Sequence, residues 1–145
     1  MNNNEYINAY KKTQQSMNSI SSSHEVIRSL MKELVNSMKK IVIDIQDERD
    51  NLNNFSSLNK ESIKNKALKK SKNLSKSLSI IYGLQTCLDF DKAFDIASNL
   101  FQLYEYCKQE ILKGFTRKIE DGILKAIDII KQIMEGWQEI PSDAR

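Results

Sequence analysis

The chain has 145 residues, 40% hydrophobic and 28% charged, with only four glycines and one proline. Soluble domains average roughly 12% glycine plus proline; a β-sandwich or barrel uses them at every turn and a phosphate-cradling loop needs them clustered, so both are excluded. The net charge of +3 divides unevenly, with 14 Lys+Arg against 8 Asp+Glu over residues 1–84 and 8 against 11 over residues 85–145, an asymmetry that can mark a nucleic-acid face.

Residues 1–20 read as a polar, asparagine-rich arm in which Tyr6, Ile7 and Tyr10 are the apolar or amphipathic points. It is too short to persist as an isolated helix, so it either docks or stays mobile. The first long helix is predicted over about 23–47. Val26, Leu30, Leu34, Met38, Ile41 and Ile45 recur every three or four residues, which places them on one stripe. One of Ser21, Ser22 and Ser23 is expected to cap it, with Glu25 near its positive end. A polar tract to about Asn59 follows.

A second helix is predicted over about 60–85, with Ile63, Ala67, Leu74, Leu78 and Ile81 on its apolar face. Its other faces carry Lys60, Lys64, Lys66, Lys69, Lys70, Lys72 and Lys76. The third is predicted over about 91–114, with Ala93, Ala97, Leu100, Tyr104, Cys107 and Ile111 spaced 4-3-4-3-4. Phe94, Ile96, Phe101 and Leu103 widen its apolar face, and Gly114 is expected to end it as a C-cap. The fourth is predicted over about 116–139, with Ile119, Ile123, Ala126, Ile130, Ile133 and Trp137 in the same spacing and Pro141 just beyond. Such spacing predicts near-antiparallel packing at about 20°, an all-α four-helix bundle in a single domain.

Catalytic and metal chemistry find little support. His24 is the single histidine, Cys87 and Cys107 lie far apart without a C-x-x-C, and a zinc site needs about four ligands. His24 reads as a surface or capping residue, and both thiols as small apolar packing residues in a reducing cytoplasm. The acidic pairs Asp89/Asp91 and Glu120/Asp121 sit at predicted helix starts, where the dipole favours them. No metal, no cofactor and no enzymatic activity are expected. Neither a signal-like segment nor an apolar run near the roughly 18–20 residues of a membrane helix is present, so a soluble cytoplasmic protein is expected.

The lysine-rich helix has seven lysines and one glutamate from Lys60 to Lys76, which would attract phosphate. It carries no arginine and no aromatic among the lysines for base stacking, so a solvated face is the expectation and nucleic acid is not an expected partner. The third helix offers more. Tyr106 falls about 200° from Tyr104 on the helical wheel, so one buried stripe cannot hide the apolar residues of 99–107. An excess apolar face on a small bundle suits a protein that binds a partner helix.

Asn99-Leu100-Phe101-Gln102-Leu103-Tyr104-Glu105-Tyr106 resembles the N-L-x-x-L-Y-x-Y run of the FliS family, the flagellin-specific export chaperones. Tyr6 and Tyr10 match that family's two N-terminal tyrosines, Ser21 to Val26 resemble its A-S-P-x-E-L helix start, and Trp137 stands where its last helix ends in tryptophan. Ser23 replaces the family's proline, and Ser29 to Glu33 keep only Leu30 of its M-L-Y-D-G run.

The resemblance implies an antiparallel four-helix bundle with an N-terminal helix or arm. It further implies a cytoplasmic chaperone that binds the C-terminal segment of flagellin and performs no chemistry, with a flagellar export-gate component as a candidate second partner. Ile7, Tyr10, Leu30, Leu34, Leu100, Leu103, Tyr104 and Tyr106 are the expected partner-binding residues, and a client-bound monomer the expected assembly. Two alternatives stay open on the residues alone: an oligomerising structural bundle, and a small basic nucleic-acid binder.

Overall fold

The structure, a computed structural model, describes Asn4, Glu5, Ile7 and Asn8, residues 23–51 and residues 60–139. Tyr6, Tyr10, Ser21, Ser22, Pro141 and most of the polar tract before Lys60 lie outside the described residues. Asn4, Glu5, Ile7 and Asn8 are helical and exposed. The described residues otherwise form four helices and no strand: α1 (Ser23–Asp50), α2 (Lys60–Thr86), α3 (Phe94–Arg117) and α4 (Asp121–Glu139). None of them is long and apolar enough to cross a membrane.

Consecutive helices are antiparallel neighbours, and α4 returns to lie beside α1. Glu33 pairs with Lys76 at 2.9 Å and Asn73 donates to Asp44 at 3.2 Å, while Glu48 pairs with Lys70; numbers rising on α1 fall on α2. Gln85 of α2 donates to Glu105 of α3 at 2.8 Å. The Cys107 thiol of α3 donates to the Ala126 carbonyl of α4 at 3.8 Å. His24 meets Trp137 at one end of the α1–α4 pair and Arg49 meets Glu120 at the other. This is an up-down-up-down bundle of the expected class.

Its core is filled by Met31, Leu34, Met38, Ile41 and Ile45 of α1 with Ile81, Leu84, Tyr104, Cys107, Ile111, Ile123, Ala126 and Ile130. Each fully buried aliphatic side chain here contributes about 1.5–3 kcal/mol before entropy is counted. The α3 stripe follows the predicted spacing from Ala97 to Ile111 and the α4 stripe from Ile123 to Trp137, with Leu100 and Ile133 half-buried at their edges.

Several local expectations need correction. Gly114 does not end α3; the helix runs on to Arg117, and Lys118 makes the left-handed cap at φ 60°, ψ 42°. Glycine serves packing instead, because a Cβ at position 114 would lie 2.6 Å from Ile123 Cδ1 and 2.7 Å from the Ile119 carbonyl. The α4 helix therefore starts at Asp121 rather than 116, which leaves Ile119 exposed in the turn and outside the core. At the other end, the Asp89 carboxylate accepts from the amides of Asp91 at 3.1 Å and Lys92 at 3.0 Å. That closes a separate turn and delays α3 to Phe94.

Ile63 and Ala67 are exposed, and the first buried residue of α2 is Ser77. The facing end of α1 presents Asp44, Asp47 and Glu48, so this half of the pair is joined by polar contacts rather than apolar packing. Cys107 is buried as expected, but Cys87 is exposed.

Candidate functional site

The α3 helix divides its apolar residues among three directions. Ala97, Tyr104, Cys107 and Ile111 face the core. At about 100° per residue, Ile96, Leu103 and Tyr106 fall on one flank, and Phe94, Phe101 and Leu112 on the other. All six are exposed. Phe90 packs edge-on against Phe94 and Phe101, with ring centroids 6.2 and 6.3 Å apart. Exposed apolar patches thus lie on both flanks of the buried α3 stripe, one of Ile96, Leu103 and Tyr106 and one gathered by the Phe90, Phe94 and Phe101 rings, and they belong largely to the segment whose apolar content exceeds one stripe.

The expected site residues separate accordingly. Leu103 and Tyr106 are open to solvent at 37% and 39%. Leu100 and Leu30 are half-buried against the core. Ile7 is half-exposed on its helical segment, and Tyr10 lies outside the described residues. Leu34, expected on a groove, is fully enclosed, because α1 turns its 31–34–38–41–45 row inward among the other helices. Tyr104 is also enclosed, at 1% exposure.

Enclosure does not remove Tyr104 from the surface features. A cavity of about 90 Å³ opens where the start of α1, the end of α2, the start of α3 and the end of α4 converge, and Tyr104 lines it with Ile27, Leu84, Leu100 and Trp137. Ile96 belongs both to this cavity and to the exposed flank of Leu103 and Tyr106, so the two adjoin. Burial, with Cys107 and Cys87 nearby, pushes the Tyr104 hydroxyl well above its usual range. Burial likewise pushes the Cys107 thiol up to about 12. Neither group ionises near neutral pH.

Ile27, Leu84 and Trp137 reach this cavity from three other helices. Only Trp137 carried a signal in sequence, through its place at the end of the α4 stripe. His24, read as a surface or capping residue, is half-buried instead: its Nε2 donates to the Trp137 carbonyl at 3.0 Å, and the two rings stack 5.5 Å apart.

A second concavity, of about 510 Å³, lies between the carboxyl end of α1 and the amino half of α2. Its floor is Ile63, Ala67 and Phe115, and its walls oppose Asp44 and Asp47 to Lys66 and Lys69. Partial burial, with Lys118 close by, holds the Lys70 ammonium there below its usual range. Among the described residues no three of His, Cys, Asp and Glu are grouped to hold a metal ion.

The sequence model of the family described as flagellar protein FliS matches residues 6–144. The chain is 33% identical over 66 residues to the flagellar secretion chaperone FliS of Vibrio cholerae, covering 46% of this chain and 48% of that protein. It is 34% identical over 62 residues to the flagellar secretion chaperone FliS of Salmonella typhimurium, covering 43% of this chain and 46% of that one. The aligned stretches thus span about half the length of these curated relatives.

Proposed function

Because the chain belongs to the FliS family of flagellar proteins, we propose that it is a cytoplasmic flagellar secretion chaperone, a binding protein and not an enzyme. Its client is the C-terminal helical segment of flagellin, which it shields from premature polymerisation and delivers to the flagellar type III export apparatus, where an export-gate component is a second partner. The observation that carries this reading is the exposed apolar surface on the flanks of α3, part of which, Phe101, Leu103 and Tyr106, lies within the Asn99–Tyr106 motif.

The physical logic is an exchange of partners. A segment that assembles with copies of itself through apolar helix faces is kept from doing so when another apolar helix surface covers them. Leu100, Leu103 and Tyr106 provide that surface, and Leu30 of α1 is a further contact. The client loses conformational entropy as it orders on the chaperone, which keeps the complex releasable. The N-terminal arm, which carries Ile7 and Tyr10, contributes to client binding on this reading. Deleting residues 1–15 then changes client affinity or free-protein solubility; if both stay constant, the arm has no such role.

Co-purification with a flagellin C-terminal fragment tests the reading, followed by sizing. A one-to-one complex with a single copy of this chain is expected. If the chain self-associates and excludes the fragment, it is an oligomerising bundle instead.

A further inference from the structure

The Tyr104 hydroxyl is a buried donor with no protein partner among the described residues, on a residue only 1% exposed. Buried donors are almost always paired, because an unmet one forfeits its hydration without return. The Cys107 thiol, close by, directs its own proton to the Ala126 carbonyl. Tyr104 lines the 90 Å³ cavity, which has several times the room one water needs, so an acceptor from a bound segment could replace water beside it. Cys87, also on that wall, lies near enough to Tyr104 to oppose its ionisation.

The remaining lining points to the shape of an occupant. Ile27, Leu84, Leu100 and Trp137 give it apolar walls, while Asp89 and Lys92, also on the lining, are exposed. The Asp89 carboxylate is already bonded to two backbone amides. An apolar stem with a hydrogen-bond acceptor at its tip meets both the walls and the orphaned donor. Close-packed bundles leave few cavities of this size, and this one adjoins the Ile96–Leu103–Tyr106 flank of α3.

We propose that the cavity is an anchoring subsite for the client, filled by a small side chain whose amide or carbonyl oxygen accepts a hydrogen bond from the Tyr104 hydroxyl. The inference rests on the chaperone reading and names one contact within that same site. Apolar burial holds the segment, and this single polar contact fixes its register.

The test compares wild type with Tyr104→Phe, in the full chain, using a flagellin C-terminal fragment as the probe. Tyr104→Phe removes the donor and keeps the ring. The free variant should be at least as stable as wild type, while its affinity for the fragment falls about three- to tenfold. Cys87 supplies a readout that needs no variant in the cavity: its alkylation by N-ethylmaleimide should slow when the fragment binds, and should still slow after deletion of residues 1–20. Equal affinity of Tyr104→Phe and wild type overturns the proposal. So does an alkylation rate indifferent to the fragment, protection that disappears with residues 1–20, or a loss of free-protein stability in Tyr104→Phe. Failure of wild type to bind the fragment at all would instead overturn the chaperone reading.

Discussion

His24 and Trp137, separated by 113 positions, hold each other by reciprocal hydrogen bonds: the indole N–H donates to the His24 carbonyl at 3.1 Å, and the His24 ring returns one to the Trp137 carbonyl. The stack lies within 13° of parallel. The pair fastens the first turn of α1 to the end of α4, beside the cavity that Trp137 lines. Since a carbonyl only accepts, the Nε2 of His24 must carry a proton.

Breaking this clasp should loosen one end of the bundle. Trp137→Phe keeps an aromatic ring and loses the donor, so unfolding in urea should show about 1 kcal/mol less stability. His24→Ala should have a comparable cost. Trp137 is the sole tryptophan, so its emission in His24→Ala should move to the red as water reaches the ring.

The glycines should respond in opposite senses. Gly114→Ala drives a methyl into Ile123 and the Ile119 carbonyl, and overpacking of this kind costs about 1–3 kcal/mol. Gly83 and Gly136 have no atom within 4 Å of a Cβ position. Replacing either with alanine should stabilise its helix by about 0.5–1 kcal/mol. Thermal melts of the three variants decide the order.

Acid should weaken the fold through its surface ion pairs. Hydrogen bonds from Lys76, from Lys108 and then Gln85, and from Arg49 hold the carboxyls of Glu33, Glu105 and Glu120 below the usual range. A carboxyl lowered in the folded state adds stability above its unfolded value and loses it as pH falls through the folded one. Urea midpoints should therefore decline below about pH 4.3. The decline should shrink in high salt, because these pairs are screened.

The lysines of α2 give a contrast. Lys60, Lys64, Lys66, Lys69 and Lys72 have no carboxylate within 4.0 Å among the described residues, unlike Lys70 and Lys76. If they are a solvated face, binding to duplex or single-stranded nucleic acid at physiological salt should be negligible. Tight binding with a steep salt dependence would instead make this chain a nucleic-acid binder.

What the sequence revealed follows from how local each determinant is. The α3 and α4 stripes were legible because one rotation of the helix decides which residues are buried, and the Asn99–Tyr106 run announced a surplus apolar face. Gly114 misled because a glycine that ends a helix and one that admits a neighbouring helix look alike until Ile123 is placed against it. The amino half of α2 misled because its apolar positions have the right spacing but face charged residues of α1. His24 and Trp137 could not be paired by any local pattern. The cavity, likewise, takes one wall from each of four helices.

The most direct test of the central claim is calorimetric titration of a flagellin C-terminal fragment into wild type, Leu103→Ala and Tyr106→Ala, each with its melting temperature measured alone. Removing a buried anchor at the centre of such an interface costs about 2 kcal/mol or more. The account predicts one-to-one binding by wild type, at least tenfold weaker binding by both variants, and melting temperatures close to wild type. Variants that melt early yet bind the fragment as wild type does would contradict it, by assigning Leu103 and Tyr106 to the packing of the bundle.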